Sequence, residues 1–389
     1  MSATAAPPES LLRTLAPALV RVEHRLRDWR AGLEPLPDDR GRTARRLLLG
    51  GLALPALIGL EQQEKRILEG TESPASIEMP VMLWCPASND SAVGATPTNE
   101  DDLLKRWAPF IAVEWPTRRD YPEECDRIGG VRLEGSKTDF RVCVDGAAPA
   151  IYTYASTAKL HGGRFAQANY VWWFPRRPAL TANDPVAGTI DGGTLRLTFD
   201  AAGRPAVAEV ILSCGCGHEA WVARSLEQAA LREHGPPQPG ADYAIEKRGQ
   251  AGRPVLVSGL FDAAPGTRLL LTLAAGSHGP RSVSFTASPR APQRVIGEKR
   301  YDILGYDALD RLPLENGVAS MFGADGLVHN AGRAEGYLLA PTGMLSAGQP
   351  RKRGTQRIRW DAYLFDEPDL LERTMRLPAT FEAAATRAD

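Results

Sequence analysis

The residues whose types and spacing could do chemistry lie in one short segment, Val210–Trp221, which reads VILSCGCGHEAW. In an extended strand successive side chains alternate between faces, so Cys214, Cys216 and His218 would all project to one side. Thiolates and imidazoles are ligands that suit zinc, with copper as the alternative. The intervening glycines would let the backbone bend until both sulfurs approach one ion. This segment therefore predicts a zinc-type metal site.

A metal ion needs further ligands, and few histidines are available to supply them. His278 is the first choice because it follows the predicted strand Arg268–Ala274 in a turn-like sequence, from which it could return beside the cysteines. His161, which precedes an aromatic strand, is the second choice. Four protein ligands would close a structural site, whereas three plus water would leave a catalytic one. In the catalytic case Glu219 is the candidate base for a metal-activated water, which predicts a metal-dependent hydrolase of unknown substrate.

The same cysteines also support interpretations without a metal. Cys214 and Cys216 could form a disulfide that is strained by its short loop and therefore readily reduced, as in a thiol redox protein. His218 could instead serve as the base for a nucleophilic cysteine. Buried, inert thiols are the remaining interpretation. The chain has five cysteines, at positions 85, 125, 143, 214 and 216. An odd number spread over a long chain favours reduced thiols over the disulfide-rich framework of a small secreted domain.

Short apolar or alternating segments separated by turn residues begin near residue 80 and predict a β-rich body. The sequence DAAG at Asp200–Gly203 predicts a hairpin turn, and 222–234 predicts a helix. We expect an α+β fold whose body is a distorted sandwich or barrel-like set of antiparallel sheets, with a C-terminal helix at Glu367–Arg376. The predicted strands are Phe110–Glu114, Phe140–Val144, Ile151–Tyr154, Asn169–Phe174, Leu195–Phe199, Ala206–Leu212, Val255–Phe261, Arg268–Ala274 and Ser282–Thr286.

The N-terminal region differs from the rest of the chain. Leucines and valines at three- and four-residue steps over 9–31 predict an amphipathic helix, and arginines outnumber acids from Arg13 to Arg46. The apolar run Leu47–Leu60 has 14 residues, too few for a membrane-spanning helix. We therefore predict three parts: a helical region at 1–79, the β-rich core with its cysteine and histidine site at 80–300, and an extension packed on that core at 301–389.

The amino-acid composition excludes some classes of partner but does not identify a specific one. The 46 lysines and arginines almost balance the 47 acids, so no overall field favours nucleic acid. The 37 glycines and 31 prolines exclude an all-helical bundle for most of the chain. We expect a small-molecule or peptide ligand and a cytoplasmic protein or one peripheral to the membrane, with export left open. A third interpretation is a non-enzymatic envelope or partner-binding protein, in which the metal only staples the sheet and the basic N-terminal helices contact a membrane.

The order of several segments resembles a family of uncharacterised bacterial proteins. Its pattern runs Q-x-N-Y-x-x-W-F-P, then C-G-C-x-H, then S-x-H. Gln167–Pro175 and Cys214–His218 match the first two elements, and Ser277-His278 approximates the last. The resemblance spans roughly residues 105–375 and implies a conserved-type unit around the cysteines, with no known activity. This chain departs from the pattern at Gly217, where the family has an aromatic residue, and at Gln356 and Leu364, where its tail often has histidines. Further matching positions are Ala187-Gly188, Asp191-Gly192, Arg196–Pro205, Asp325-Gly326, Arg333, Glu335, Gly343 and Phe365-Asp366.

Overall fold

A computed structural model of the chain describes residues 79–87, 99–116, 121–137, 139–180, 184–248, 255–290, 294–339, 347–358 and 363–381. The chain divides into two compact units, and the smaller includes Ala179–Ala187 and Gly332–Gln349. In that smaller unit the carboxylate of Asp184 accepts hydrogen bonds from the backbone of Leu180 and Val186. The elements discussed below belong to the larger unit, apart from one short helix.

The structure is built mainly from strands. In chain order these are β1 Val81–Pro86, β2 Phe110–Glu114, β3 Gly130–Ser136, β4 Asp139–Asp145, β5 Ala150–Leu160, β6 Gly163–Arg177, β7 Gly188–Phe199, β8 Pro205–Leu212, β9 Glu219–Ala223, β10 Leu256–Phe261, β11 Arg268–Leu273, β12 Pro280–Thr286, β13 Val295–Gly305, β14 Leu312–Leu314, β15 Gly317–Ala319, β16 Arg357–Ile358 and β17 Tyr363–Leu364. The α-helices are α1 Glu100–Arg106, α2 Arg224–His234, α3 Ala334–Leu339, which lies in the smaller unit, and α4 Leu370–Thr374. Single 3₁₀ turns occur at Glu123–Asp126, Tyr306–Asp310 and Ala379–Phe381.

Eleven strands form one sheet in the order β10-β9-β8-β7-β6-β5-β13-β1-β2-β11-β12. Its two edge strands approach each other, since the rings of Phe261 in β10 and Phe285 in β12 lie 4.9 Å apart between centroids. The sheet is therefore barrel-like and nearly closed. The expectation of antiparallel sheets is wrong in part, because β13 pairs in parallel with both β1 and β5, β11 with β2, and β10 with β9.

One face of this sheet, the inner face, carries the main hydrophobic core. Side chains alternate between faces along each strand, so Tyr170, Trp172 and Phe174 of β6 share the inner face. They meet buried residues from the other half of the sheet, such as Ile111 and Leu271. Burial of large aromatic and aliphatic side chains from both halves supplies the driving force that curls the sheet.

The opposite, outer face is covered in sections by the remaining segments. The β3–β4 hairpin and residues near Phe322 pack on Val171 and Trp173 of β6. Ile358 of β16 and Phe365, which directly follows β17, pack with Ile211 of β8. This last cover lies beside the segment that carries the predicted metal ligands.

Several sequence predictions are confirmed. The predicted strand Phe110–Glu114 coincides with β2, and the turn at Asp200–Gly203 joins β7 to β8 with Gly203 at a φ of 71°. The predicted helix at 222–234 is α2, whereas the terminal helix is shorter than predicted and spans only α4. Residue 300, the predicted end of the core, lies inside β13 at the middle of the sheet, and the three-part division stays a prediction.

The N-terminal helix at 9–31 and the apolar run at Leu47–Leu60 lie outside the described residues. Within the described segments, none of the helices has the length and apolar character needed to cross a bilayer.

Candidate functional site

Residues 213–218, which we name the thiol turn, connect β8 to β9. The two strands are antiparallel, and the turn is closed by hydrogen bonds from Leu212 N–H to the Cys216 carbonyl at 3.0 Å and from Gly215 N–H to the Leu212 carbonyl at 2.8 Å. Gly215 and Gly217 have φ values of 89° and 60°, in the left-handed region that favours glycine. The predicted extended strand with three ligands on one face is therefore wrong, because two left-handed glycines fold the segment back on itself.

The two thiols of this turn differ in exposure. Cys216 is exposed and Cys214 is partly buried, and neither forms a disulfide. The Gly215 between them packs so closely on the backbone of Arg357 that a Cβ atom would overlap its carbonyl oxygen. The turn is thus held against β16 on one side and presents a thiol to solvent on the other.

His218 ends the thiol turn and is nearly enclosed, with 6% of its side chain exposed. Its Nε2 atom lies 3.1 Å from Oε1 of Glu209, and its ring packs edge-to-face on Phe365 with 5.5 Å between centroids. Its Nδ1 atom is buried and has no hydrogen-bond partner among the residues that the structure describes. Buried polar atoms are nearly always satisfied, so this nitrogen calls for an explanation.

Glu209 is held by a buried ion pair on the outer face. Its carboxylate receives two hydrogen bonds of 2.8 Å from the guanidinium of Arg196, its cross-strand partner in β7, and both side chains are at most 2% exposed. Burial alone would raise the pKa of Glu209, but the charge of Arg196 and the hydrogen bonds from His218 and Arg196 lower it to about 2. The ionised carboxylate can only accept a hydrogen bond, so Nε2 of His218 carries a proton, and in the neutral ring the lone pair is on Nδ1.

Arg196 also ties the site to the C-terminal cover. Its Nη1 donates to the carbonyl of Phe365 at 2.6 Å, and its guanidinium lies 3.8 Å above the ring of that residue. The backbone N–H of Arg351 donates to the carbonyl of Ser213 at 3.0 Å, while the Ser213 hydroxyl is buried without a hydrogen-bond partner in the described chain. Gln356 is buried here too, and its backbone carbonyl accepts from Phe365 N–H. The thiol turn is therefore enclosed on its sheet side by one polar network.

His278 lies elsewhere, on the inner face. Its Nδ1 is 2.7 Å from Oδ2 of Asp191, its Nε2 is 3.1 Å from Oδ1 of Asp126, and its ring stacks on Phe174. The β6–β7 register is unbroken between Asp191 and Arg196, which are five residues apart and therefore lie on opposite faces. The sheet thus separates His278 from the thiol turn, and both of its ring nitrogens already face carboxylates. It offers no ligand atom to a metal at the turn.

His161 is also remote from the thiol turn. It lies in the exposed turn between β5 and β6, just before Gly163. Leu212, the residue before the thiol turn, pairs with Gly193 of β7, and Gly193 pairs with Trp172 of β6. Trp172 lies nine residues after Gly163 along β6. At about 3.4 Å per residue this separates the two turns by about 30 Å. The structure does not bring His161 to the other predicted ligands.

Glu219, the predicted base, is the first residue of β9 and follows His218 directly. Its carboxylate accepts a hydrogen bond from the hydroxyl of Ser258, and burial raises its pKa above the ordinary value despite that hydrogen bond and the nearby positive charges. A raised pKa keeps the proton on this carboxyl group to a higher pH than on an exposed glutamate. Glu219 pairs with Val210, whose neighbour Glu209 lies on the outer face, so the carboxylate of Glu219 lies on the inner face, opposite the contact between His218 and Glu209.

Sequence reasoning missed Arg196 and Glu209. The signal was present, because Arg196 stands between two leucines and Glu209 between Ala208 and Val210 in strands that are otherwise apolar. Charged residues are almost never fully buried unless they are paired. In the described part of the chain, no three or more histidine, cysteine or acidic side chains are gathered in a way that could hold a metal ion as they stand.

Comparison with known proteins adds no identity: no family model, no curated protein and no solved structure matches this chain. The function must therefore be argued from the site itself.

Proposed function

We propose that the thiol turn binds one soft metal ion, zinc or alternatively copper, through Cys214, Cys216 and Nδ1 of His218. The observation that carries this proposal is the state of His218. One ring nitrogen is held by a buried carboxylate, and the other is buried with a free lone pair and no partner in the described chain.

This arrangement matches the way proteins prepare histidine ligands. A metal-binding histidine usually donates its second ring N–H to a carboxylate, which fixes the tautomer and the ring orientation and raises the basicity of the ligating nitrogen. Glu209 supplies that carboxylate, and Arg196 supplies the charge that keeps it ionised. The two thiols lie two and four residues before the imidazole, and as thiolates they are ligands that both zinc and copper favour.

The ligands are not gathered around one point in the structure, so binding requires a local adjustment. The exposed thiol of Cys216 can rotate about its side-chain bond, and the two left-handed glycines allow the turn to tighten. Both thiols must lose their protons on binding, so metal affinity will rise with pH.

Three protein ligands would leave a fourth coordination position open. In zinc proteins an open position holds water or substrate, whereas a closed four-ligand site is structural. A hydrolase acting on a small molecule or peptide is therefore the first activity to screen. Glu219 follows His218 in the chain, but its carboxylate lies on the opposite face of the sheet, so the proposal assigns no base to a metal-bound water.

Metal analysis of the intact protein tests this proposal. We would purify the chain without a histidine tag and measure its metal content by mass spectrometry, beside the double variant Cys214→Ser/Cys216→Ser. Cys143→Ser serves as the matched control, because Cys143 is a partly buried free thiol on the β3–β4 hairpin. We expect about one zinc or copper per chain in the wild type and the control, and none in the double variant. Metal-free wild type after reconstitution with either ion would overturn the proposal.

A thiol redox function is the second candidate, favoured by the exposure of Cys216 two residues from the thiol of Cys214. Exchange with a small disulfide such as oxidised glutathione would form a Cys214–Cys216 bond and release two thiols, so that the protein loses two hydrogens as the oxidant gains them. Intact mass spectrometry after such treatment distinguishes the two candidates. A loss of two mass units from a metal-free protein, absent in the double variant, would support the redox function.

A further inference from the structure

The inner-face cluster around His278 has no part in the proposed metal site, and it joins three segments that are distant in sequence. His278 lies in residues 274–279 between β11 and β12, which we name the latch loop. Asp126 belongs to the 3₁₀ turn Glu123–Asp126, and Asp191 belongs to β7. In the sheet order β7 and β11 are six strands apart, so the cluster spans the interior of the nearly closed sheet.

All three side chains are withdrawn from solvent. His278 and Asp126 are 0% exposed and Asp191 is 1% exposed, while the imidazole stacks on Phe174 at 3.8 Å between centroids. His278 also has a φ of 56°, a backbone conformation that a non-glycine residue adopts only when its surroundings compensate. The latch loop is therefore shaped around the position of this imidazole.

The hydrogen-bond geometry fits a charged imidazole between two ionised carboxylates. A neutral ring has one N–H and one lone pair, so it could donate to only one carboxylate and would turn its lone pair toward the other. Both nitrogens lie within hydrogen-bonding distance of a carboxylate oxygen, at 2.7 and 3.1 Å. Two donated hydrogen bonds, and the neutralisation of one buried negative charge, follow only if the ring carries both protons.

We propose that Asp126, His278 and Asp191 form a proton-dependent latch, in which a buried imidazolium holds the latch loop to β7 and to the 3₁₀ turn and releases it when the imidazole loses a proton. Release would act on the β11–β12 end of the sheet, because the latch loop joins these two strands, and Gly276 N–H of the same loop also donates to Asp126. The latch would thus connect proton concentration to local opening of the sheet at this end.

The charges around the imidazole all favour the protonated state. Asp191 faces it from β7 and Asp126 from the 3₁₀ turn, where Tyr121 donates a hydrogen bond to the second oxygen of Asp126. Phe174 from β6 is apolar, and the latch loop has no acid or base besides His278. Arg176, two residues after Phe174 in β6, donates hydrogen bonds to Cys125 and Glu124.

The pH dependence has a definite sign. Burial would lower the pKa of His278, but the hydrogen bonds and charges of Asp126 and Asp191 outweigh it and raise the pKa above 6.5. A raised pKa means that the latch contributes its full stability below about pH 6.5 and loses it as pH rises through the folded-state value. Stability should therefore fall on the alkaline side.

Comparison of His278→Asn with the wild type across pH tests the latch. Asparagine tolerates the left-handed backbone but cannot carry the charge. We would measure urea unfolding between pH 6 and 9 and take the ratio of unfolding constants, wild type over variant. One proton held only by the folded state makes this ratio rise by up to about tenfold per pH unit above the unfolded-state pKa. His161→Asn, at an exposed histidine with a φ of 49°, should keep the slope of the wild type.

A second measurement, on the wild type, tests the latch even if His278→Asn does not fold. The nitrogen chemical shifts of the histidine rings in the ¹⁵N-labelled wild type report directly which nitrogens carry protons. We expect one histidine with both nitrogens protonated at pH 7.5, whose signals disappear in Asp191→Asn or move to the neutral pattern. A neutral pattern for every histidine at that pH, or equal pH slopes in His278→Asn and the wild type, would overturn the latch.

Discussion

Removal of the Arg196 side chain by Arg196→Met is the perturbation that most directly tests the polar network behind the thiol turn. Methionine keeps much of the volume but leaves the carboxylate of Glu209, which is 0% exposed, facing only His218. Breaking a buried ion pair by removing one partner costs about 3–5 kcal/mol, because an uncompensated charge remains in the interior. The lost hydrogen bond to the Phe365 carbonyl adds about 1 kcal/mol.

The double variant Arg196→Met/Glu209→Leu separates charge from packing. Replacing both partners of a buried pair by apolar residues is often neutral, so most of the loss should be recovered, apart from about 1–3 kcal/mol for the unsatisfied Nε2 of His218. Urea unfolding at pH 7 measures all three proteins. Arg224→Met is the control, because the Arg224–Asp262 pair is at least half exposed and such pairs contribute about 0–1 kcal/mol. A single variant as stable as this control, or a double variant no better than the single, would refute the reasoning.

Two further substitutions test the thiol turn and the inner core. Gly215→Ala should destabilise the protein by more than the roughly 1–2 kcal/mol cost of a left-handed alanine, because its Cβ would also overlap the Arg357 backbone. Gly203→Ala, where a Cβ meets no neighbouring atom, should cost only that smaller amount. Urea unfolding of the two variants measures the difference. Leu271→Ala on the inner face should cost about 2–5 kcal/mol against less than about 1 kcal/mol for Leu304→Ala, which is 40% exposed, and equal losses by thermal unfolding would contradict the placement of the core.

The sequence was sufficient for elements whose signal is local. Alternation and turn residues identified β2 and the β7–β8 hairpin, because a strand and a tight turn depend on neighbouring residues. The same local reasoning failed at the thiol turn. The sequence pattern treats glycine only as a flexible position within a strand, yet Gly215 and Gly217 adopt left-handed conformations that reverse the chain. The alternation of glycine with cysteine and histidine over 214–218 therefore does not reflect an extended strand.

The order of the strands in the sheet could not be predicted, because it depends on pairing between residues far apart in the sequence. Placing β13 between β5 and β1 requires contacts between residues about 150 and 200 positions apart in the chain, for which one sequence contains no direct signal. His278 shows the consequence for the site. Its position after a strand made a return to the cysteines reasonable, but which face of the sheet it reaches depends on the order of all eleven strands.

The two buried histidines differ because their carboxylate partners differ in number. His218 has one carboxylate partner, Glu209, whose own charge is neutralised by Arg196, and its Nδ1 has no hydrogen-bond partner in the described chain. His278 has two carboxylate partners, so a charged ring is the state that satisfies both, and no lone pair remains. Under the two proposals, the His218 ring therefore binds a cation, whereas the His278 ring is itself the cation.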